Sequence, residues 1–351
     1  MQRRIADYSE APRGAPASDL VEGSGDAQRG DEAGDAVCML SARDGAGTRV
    51  DRFVATALPQ YSRTRIQRWL SLGAVTVDGA QVLPRHRLTG LEQIEVTPLP
   101  SEAEQAFEPD PVALRVVHED SDLLVLDKPP GLVVHPAPGN WRGTLMNGLL
   151  HARPDSARLP RAGIVHRLDK DTSGLMMVAR TERAFEALVR MLAARDVERH
   201  YLALVDGAAA AHLRIDSAIG RDPRDRLRMA VVAPERGKPA VTHCRLLAGA
   251  RDGLRALSLL ECRLETGRTH QIRVHLASRG HPLVGDRLYG GRPCRGFERQ
   301  ALHAWRLRFA HPRTGSVLDI AAPPPADFAQ LIESLELGDA LRRVLASAEA
   351  R

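Results

Sequence analysis

Cysteine is sparse in this chain: its 351 residues include four, Cys38, Cys244, Cys262 and Cys294, and no two of them form a C-x-x-C pair. A zinc site is therefore not expected, and unpaired buried thiols in a reducing compartment are the simpler reading. No stretch reaches the roughly 18 consecutive apolar residues of a membrane span. Arg3 and Arg4 are followed by no apolar run, so the start does not read as a secretory signal. Internal repeats are missing too. These absences predict a cytoplasmic protein with no membrane partner.

Residues 1–40 hold almost no aromatic or β-branched side chains and are rich in Gly, Ala, Ser, Asp and Arg. Such a segment cannot bury enough apolar surface to offset its ordering entropy, which predicts a disordered tail. It is acidic, with four arginines against eight carboxylates, a net of about −4. The whole chain carries +5, so the remainder carries about +9. A basic body behind an acidic tail suggests a polyanionic partner, most simply nucleic acid.

An ordinary apolar share of 43% can fill cores, and the length allows two domains. Over 41–100, Thr48 is placed to cap a helix with Val50, Phe53, Val54, Ala57 and Leu58 on one stripe, and Pro59 ends it. Ser62 can cap a second helix with Ile66, Trp69 and Leu70 on one face, which Gly73 can close. Arg63, Arg65 and Arg68 cluster there. Val75 and Val77 alternate into an Asp78-Gly79 turn, and Gln93–Thr97 fits a last strand. Residues 101–112, with glutamates and prolines, read as a linker. A larger domain follows over 113–335, and 336–351 reads as a frayed end.

The most unusual stretch is Gly163-Ile164-Val165-His166-Arg167-Leu168-Asp169-Lys170-Asp171-Thr172-Ser173-Gly174. Two carboxylates, two cations, an imidazole and two hydroxyls lie between Ile164-Val165 and the apolar run Leu175–Val178. That pattern predicts a polar elbow between two buried strands at the rim of a cleft. From spacing alone, a solvated charged loop fits equally well.

The stretch closely resembles the H-R-L-D-x-x-T-S/T-G signature of the RluA-type pseudouridine synthases. Other segments resemble the same family: Asp127-Lys128-Pro129-Pro130-Gly131, Glu265-Thr266-Gly267-Arg268-Thr269-His270-Gln271-Ile272-Arg273-Val274-His275, His281–Asp286 and Gln300–Ala304. Within 41–100, Arg49–Phe53, Tyr61–Ile66 and Gly73–Gly79 resemble the S4 RNA-binding domain, although Ala80 and Gln81 stand where a lysine often follows the turn. The resemblance spans roughly residues 45–335. It implies an α+β chain: a largely antiparallel mixed sheet with a cleft across one face, preceded by a small α+β S4-like domain.

The resemblance further implies an isomerase that detaches uridine at its N-glycosidic bond, turns the base and rejoins it through C5, with no cofactor. It assigns the nucleophile to Asp169, an active-site tyrosine to Tyr201 and the cation beside Asp169 to Arg273, with Arg268 the nearest competitor. A desolvated carboxylate without such a cation would protonate. Arg167 would help fill the gap left by a flipped nucleotide, since the chemistry cannot reach C1′ and C5 inside a stack. Arg268, Arg63, Arg65 and Arg68 are RNA-binding candidates. His166 reads as structural, and Lys128 beside its turn as a surface lysine, whereas the resemblance implies a structural or RNA-proximal role for it. The implied substrate is large-subunit (23S) ribosomal RNA, at the helix 69 stem-loop, met by a monomer. The same chemistry on transfer RNA or another ribosomal site is one alternative. A non-catalytic RNA-binding assembly factor is another, and the retention of Asp169, Tyr201 and Arg273 together argues against it.

Overall fold

The computed structural model describes residues 37–100, 104–225 and 228–349, and the chain divides into two units between Ser101 and Glu102. The predicted disorder of the tail concerns residues that, up to 36, lie outside those described. The first unit starts earlier than position 41, because Cys38–Ser41 already forms a strand.

That unit runs β1 (Cys38–Ser41), α1 (Val50–Ala57), α2 (Arg63–Leu72), β2 (Val75–Val77), β3 (Ala80–Gln81) and β4 (Gln93–Val96), with an antiparallel sheet in the order β1-β4-β2-β3. Ser62 accepts the Arg65 N–H, and Gly73, at φ 74°, closes α2 in the left-handed region. Asp78 and Gly79 both take positive φ, as a two-residue hairpin turn requires. Thr48, however, is not the cap of α1; Arg49 holds that position with no side-chain cap. What secures the helix start is Asp51. Its carboxylate is fully buried and accepts from Arg49, Arg63 and Gln67. Val50, Val54, Ile66, Trp69, Leu70, Ile94 and Val96 fill the core between helices and sheet.

The second unit runs β5 (Val116–Glu119), β6 (Leu123–Lys128), α3 (Leu145–Ala152), β7 (Ser173–Ala179), α4 (Glu182–Ala194), β8 (Glu198–Asp206), β9 (His212–Asp216), β10 (Ile219–Arg221), β11 (Met229–Val231), β12 (Val241–Asp252), β13 (Arg255–Leu264), α5 (Gln271–Ser278), β14 (Leu302–Ala310), β15 (Val317–Ala321), α6 (Ala326–Ser334) and α7 (Gly338–Glu349). Its main sheet has the order β5-β6-β7-β14-β8-β13-β12-β9, with β15 on β14, and β10–β11 is a separate hairpin. Among the described residues, only the β7–β14 pair is parallel. The mixed, largely antiparallel α+β architecture implied by the resemblance is the one observed.

The sheet is apolar on both faces because each is covered. On one face, Met176, Val178, Ala203, Val205, Leu260 and Cys262 pack with Leu145 and Leu149 of α3 and Ile272 and Leu276 of α5. On the other, Leu202, Leu204, Leu257 and Trp305 meet Phe328, Leu331 and Ile332 of α6. Leu337, Ala340, Leu341 and Val344 are buried in that second cluster. The segment read as frayed is therefore a docked helix, and its apolar stripe was the signal passed over. The linker also ends sooner than expected. Ala106 is buried, and Asn147 of α3 donates to the carbonyls of Ala106 (2.9 Å) and Glu108 (2.7 Å), so these residues belong to the second unit. Cys244 and Cys262 face each other across β12 and β13 as buried free thiols. Among the described residues, no helix is long and apolar enough to cross a membrane.

Candidate active site

The elbow is framed by two glycines that nothing else could replace. Gly163 (φ 83°) and Gly174 (φ 114°) are left-handed. A Cβ on the first would fall 2.1 Å from Ala179 O, and on the second 2.2 Å from Ala304 O. The segment before the elbow is not the strand expected. It is a short 3₁₀ turn over Pro160–Gly163, and Ile164 makes a lone bridge to Val178. His166 then anchors the loop to β7: its Nε2 accepts the Met177 N–H at 2.9 Å, leaving the ring proton on Nδ1. Burial and nearby Arg199 pull the His166 pKa down to about 3, so the ring is neutral. Its structural role follows from that bond.

The other end of the loop is held by Lys128, at the end of β6. Its ammonium donates to the carbonyls of Pro129 (2.8 Å), Leu132 (3.0 Å) and Lys170 (2.9 Å). At 1% exposed, Lys128 is not the surface lysine that a turn suggests; the structural role implied by the resemblance fits these bonds. Burial lowers its pKa to about 7 against the pull of Asp171 and Asp169. Arg299 donates to Asp171 O, and Ser173 bonds His303, whose other nitrogen donates to Ala322 O. The backbone around Asp169 is thus fixed from four sides.

Asp169 is 17% exposed in its side chain, and its Oδ2 accepts from Arg273 Nη1 at 3.0 Å. Arg273 comes from α5, where it grips Asp286 with two further bonds, Nε to Oδ2 (2.7 Å) and Nη2 to Oδ1 (2.9 Å). The start of α5 is pinned to β12 by Gln271, which donates to Val241 O and Thr242 Oγ1 and accepts from Thr266 Oγ1. Burial pushes the Asp169 pKa up, but His270, Arg273 and Arg167 outweigh it and hold the carboxyl below its ordinary range. His270 is itself pulled below the ordinary histidine range by burial, with Arg273 also lowering it and Asp169 opposing. At neutral pH the charges that keep Asp169 ionised are therefore the permanent ones, Arg273 and Arg167.

Tyr201 projects from β8 into the same cluster as Leu168 and Ile272, 6% exposed. Burial raises its pKa, Asp169 adds to this and Arg199 opposes, so the phenol keeps its proton. Asp169, Arg273 and Tyr201 are thus brought together by three separate segments. Arg167 is exposed in the loop beside Asp169. Arg268 donates from Nε to Pro239 O at 3.2 Å. In the first unit, Arg63 binds buried Asp51, Arg65 stacks over Tyr61 and Trp69 at about 5 Å and donates to Leu99 O, and Arg68 is exposed on α2. Sequence pattern assigns no role to Asp286 or Tyr289. Both lie in or just after the His281–Asp286 block, which marks the place without indicating the contact.

Fold and site together set an arginine-paired carboxylate beside a buried tyrosine in a basic chain. Residues 122–278 match the RNA pseudouridylate synthase family and residues 48–94 the S4 domain. The chain is 48% identical over 315 residues to ribosomal large subunit pseudouridine synthase D of Neisseria meningitidis serogroup A, covering 87% of this chain and 83% of that one. It is 48% identical over 303 residues to the protein of that name from Xanthomonas campestris pv. campestris, covering 83% and 89%. Among solved structures, human RNA pseudouridylate synthase domain containing 1 aligns with a TM-score of 0.52 at 27% identity, over 73% of this chain and 98% of that one. The chain belongs to the RNA pseudouridylate synthase family and carries an S4 domain.

Proposed function

We propose that this enzyme converts uridine to pseudouridine in large-subunit ribosomal RNA, at the helix 69 stem-loop. It acts in the cytoplasm on the RNA or its assembly precursor, as a monomer. The single observation carrying the catalytic assignment is Asp169 held at 3.0 Å by Arg273 beside Tyr201. Asp169 attacks the sugar at C1′ or removes a proton from C2′; either route needs the carboxylate ionised, and Arg273 supplies the charge that does this. Tyr201, neutral and set in the apolar wall, offers a ring face to the uracil and a hydroxyl near C5. Arg167 occupies the space the flipped nucleotide vacates. Relatives named for the large ribosomal subunit support the RNA target.

Asp169→Asn is nearly isosteric, but an amide cannot serve as carboxylate nucleophile or base. RNA affinity should stay within about ten-fold, equivalent to about 1.4 kcal/mol. Tritium release from C5-labelled uridine in a ribosomal RNA fragment should vanish, because forming the new C5 bond expels that hydrogen. Release equal to wild type would remove Asp169 from the mechanism. Mapping pseudouridines in ribosomal RNA of a deletion strain tests the target: loss at positions outside helix 69, or only in transfer RNA, would reassign it.

A further inference from the structure

We propose that His270 is a positioning residue for the reactive carboxylate: fixed by Tyr289, it presents its Nε2–H to Oδ1 of Asp169 and keeps that oxygen turned into the cleft. The inference rests on the reading of Asp169 as the reacting group.

His270 stands at the N-terminal end of α5 with φ 55° and ψ 22°, a left-handed conformation that a histidine holds only at a cost. Tyr289 supplies the restraint. Its hydroxyl accepts the Met229 N–H at 3.0 Å and lies 2.8 Å from His270 Nδ1. The hydroxyl oxygen accepts the backbone N–H, and its own proton is available to Nδ1. The imidazole proton is then on Nε2, which faces Asp169 Oδ1 at 3.8 Å. The opposite tautomer would set a lone pair against a carboxylate. Burial and Arg273 keep the ring neutral at pH 7, so this is a dipole aimed at the anion.

The division of labour between the two oxygens follows. Oδ2 is tied to Arg273, and Oδ1 faces His270 beyond hydrogen-bond length. A donor at that distance orients the oxygen without covering its lone pairs. The Tyr289 ring also lies 5.0 Å from the Arg273 guanidinium and meets His270 edge to face, so one phenol touches both His270 and Arg273.

The test compares His270→Ala, His270→Gln and His270→Asn in the full chain, by tritium release and thermal melting. Glutamine places an N–H near the Nε2 position, toward Asp169. Asparagine places one near Nδ1, toward Tyr289, and is the better tolerated of the two in a left-handed backbone. A purely structural role therefore ranks Asn above Gln, and the positioning role ranks Gln above Asn. We expect His270→Ala to lose about ten- to hundred-fold in kcat, with KM changed by less than about two-fold. Gln should recover most of this and Asn little, despite an equal or higher melting temperature. Tyr289→Phe should lower kcat in the wild type and add nothing in the His270→Ala background. Asn matching or exceeding Gln, an unaffected Ala variant, or additive costs for Tyr289→Phe would overturn the proposal. Asp169→Asn is run beside them: turnover there would remove the reading of Asp169, whereas an inactive Asp169→Asn with the wrong ranking removes only His270.

Discussion

Replacing Arg273 with methionine keeps much of the side chain's bulk and removes one charge from two carboxylates. Asp286 is 1% exposed in its side chain and takes two bonds from Arg273, whereas Asp169 is 17% exposed and takes one. Orphaning a buried partner costs roughly 3–5 kcal/mol. Most of that belongs to Asp286, which is the more deeply buried. For a domain of this size each 1 kcal/mol moves Tm by about 2–4 °C, so melting should fall by about 6–20 °C. Turnover should fall at least about 100-fold at pH 7, the scale of losing one electrostatic donor. Without Arg273, burial raises the Asp169 pKa with less opposition, so residual activity should climb as pH rises and the carboxyl ionises. Arg273→Met combined with Asp286→Asn separates the two effects: stability should largely return and activity should not. Thermal melting and tritium release on the same samples decide it. Normal turnover by the single variant, or activity restored by the double one, would refute the reasoning.

Asp171→Asn should retain activity, since Asp171 contributes its backbone carbonyl to Arg299 and its charge faces Lys128 rather than the cleft partner Arg273; loss equal to that of Asp169→Asn in the tritium assay would contradict this. Lys128 titrates near 7 when folded and near 10.5 when unfolded, so between those values the unfolded chain binds more protons and the Lys128 contribution to stability rises with pH. Urea melts at pH 7 and 9.5 should show that rise in wild type and not in Lys128→Met. Removing residues 1–101 should weaken RNA binding and flatten its salt dependence while a short saturating RNA is still modified at a reduced rate; an unchanged salt slope would show that the first unit contributes no phosphate contacts.

The polar elbow was legible because several reactive side chains between apolar runs are hard to explain as packing. Its ends were legible too, as glycines, though not the carbonyls that exclude a Cβ. The helix cap at Ser62 was readable because capping is local in sequence. Lys128, Asp286 and Tyr289 were not. Lys128 meets a carbonyl 42 residues away, and the Arg273–Asp286 grip depends on how α5 is laid beside the following loop. The arginine cluster of α2 was visible as charge, but the burial of Asp51, which engages Arg63, is set by tertiary packing. The last helix was missed although its apolar stripe stands in the sequence; what the stripe alone does not reveal is the cluster it packs into.

Arg273 is held chiefly by Asp286, and Asp169 is the lesser of its two carboxylate partners. An aspartate codon becomes an asparagine codon by one base change, and here that change would leave the guanidinium still clasped and α5 still seated. A duplicated gene released from selection for chemistry would therefore inherit a folded, basic cleft that continues to hold RNA. Modifying enzyme and plain RNA clamp are, in this scaffold, one nucleotide apart.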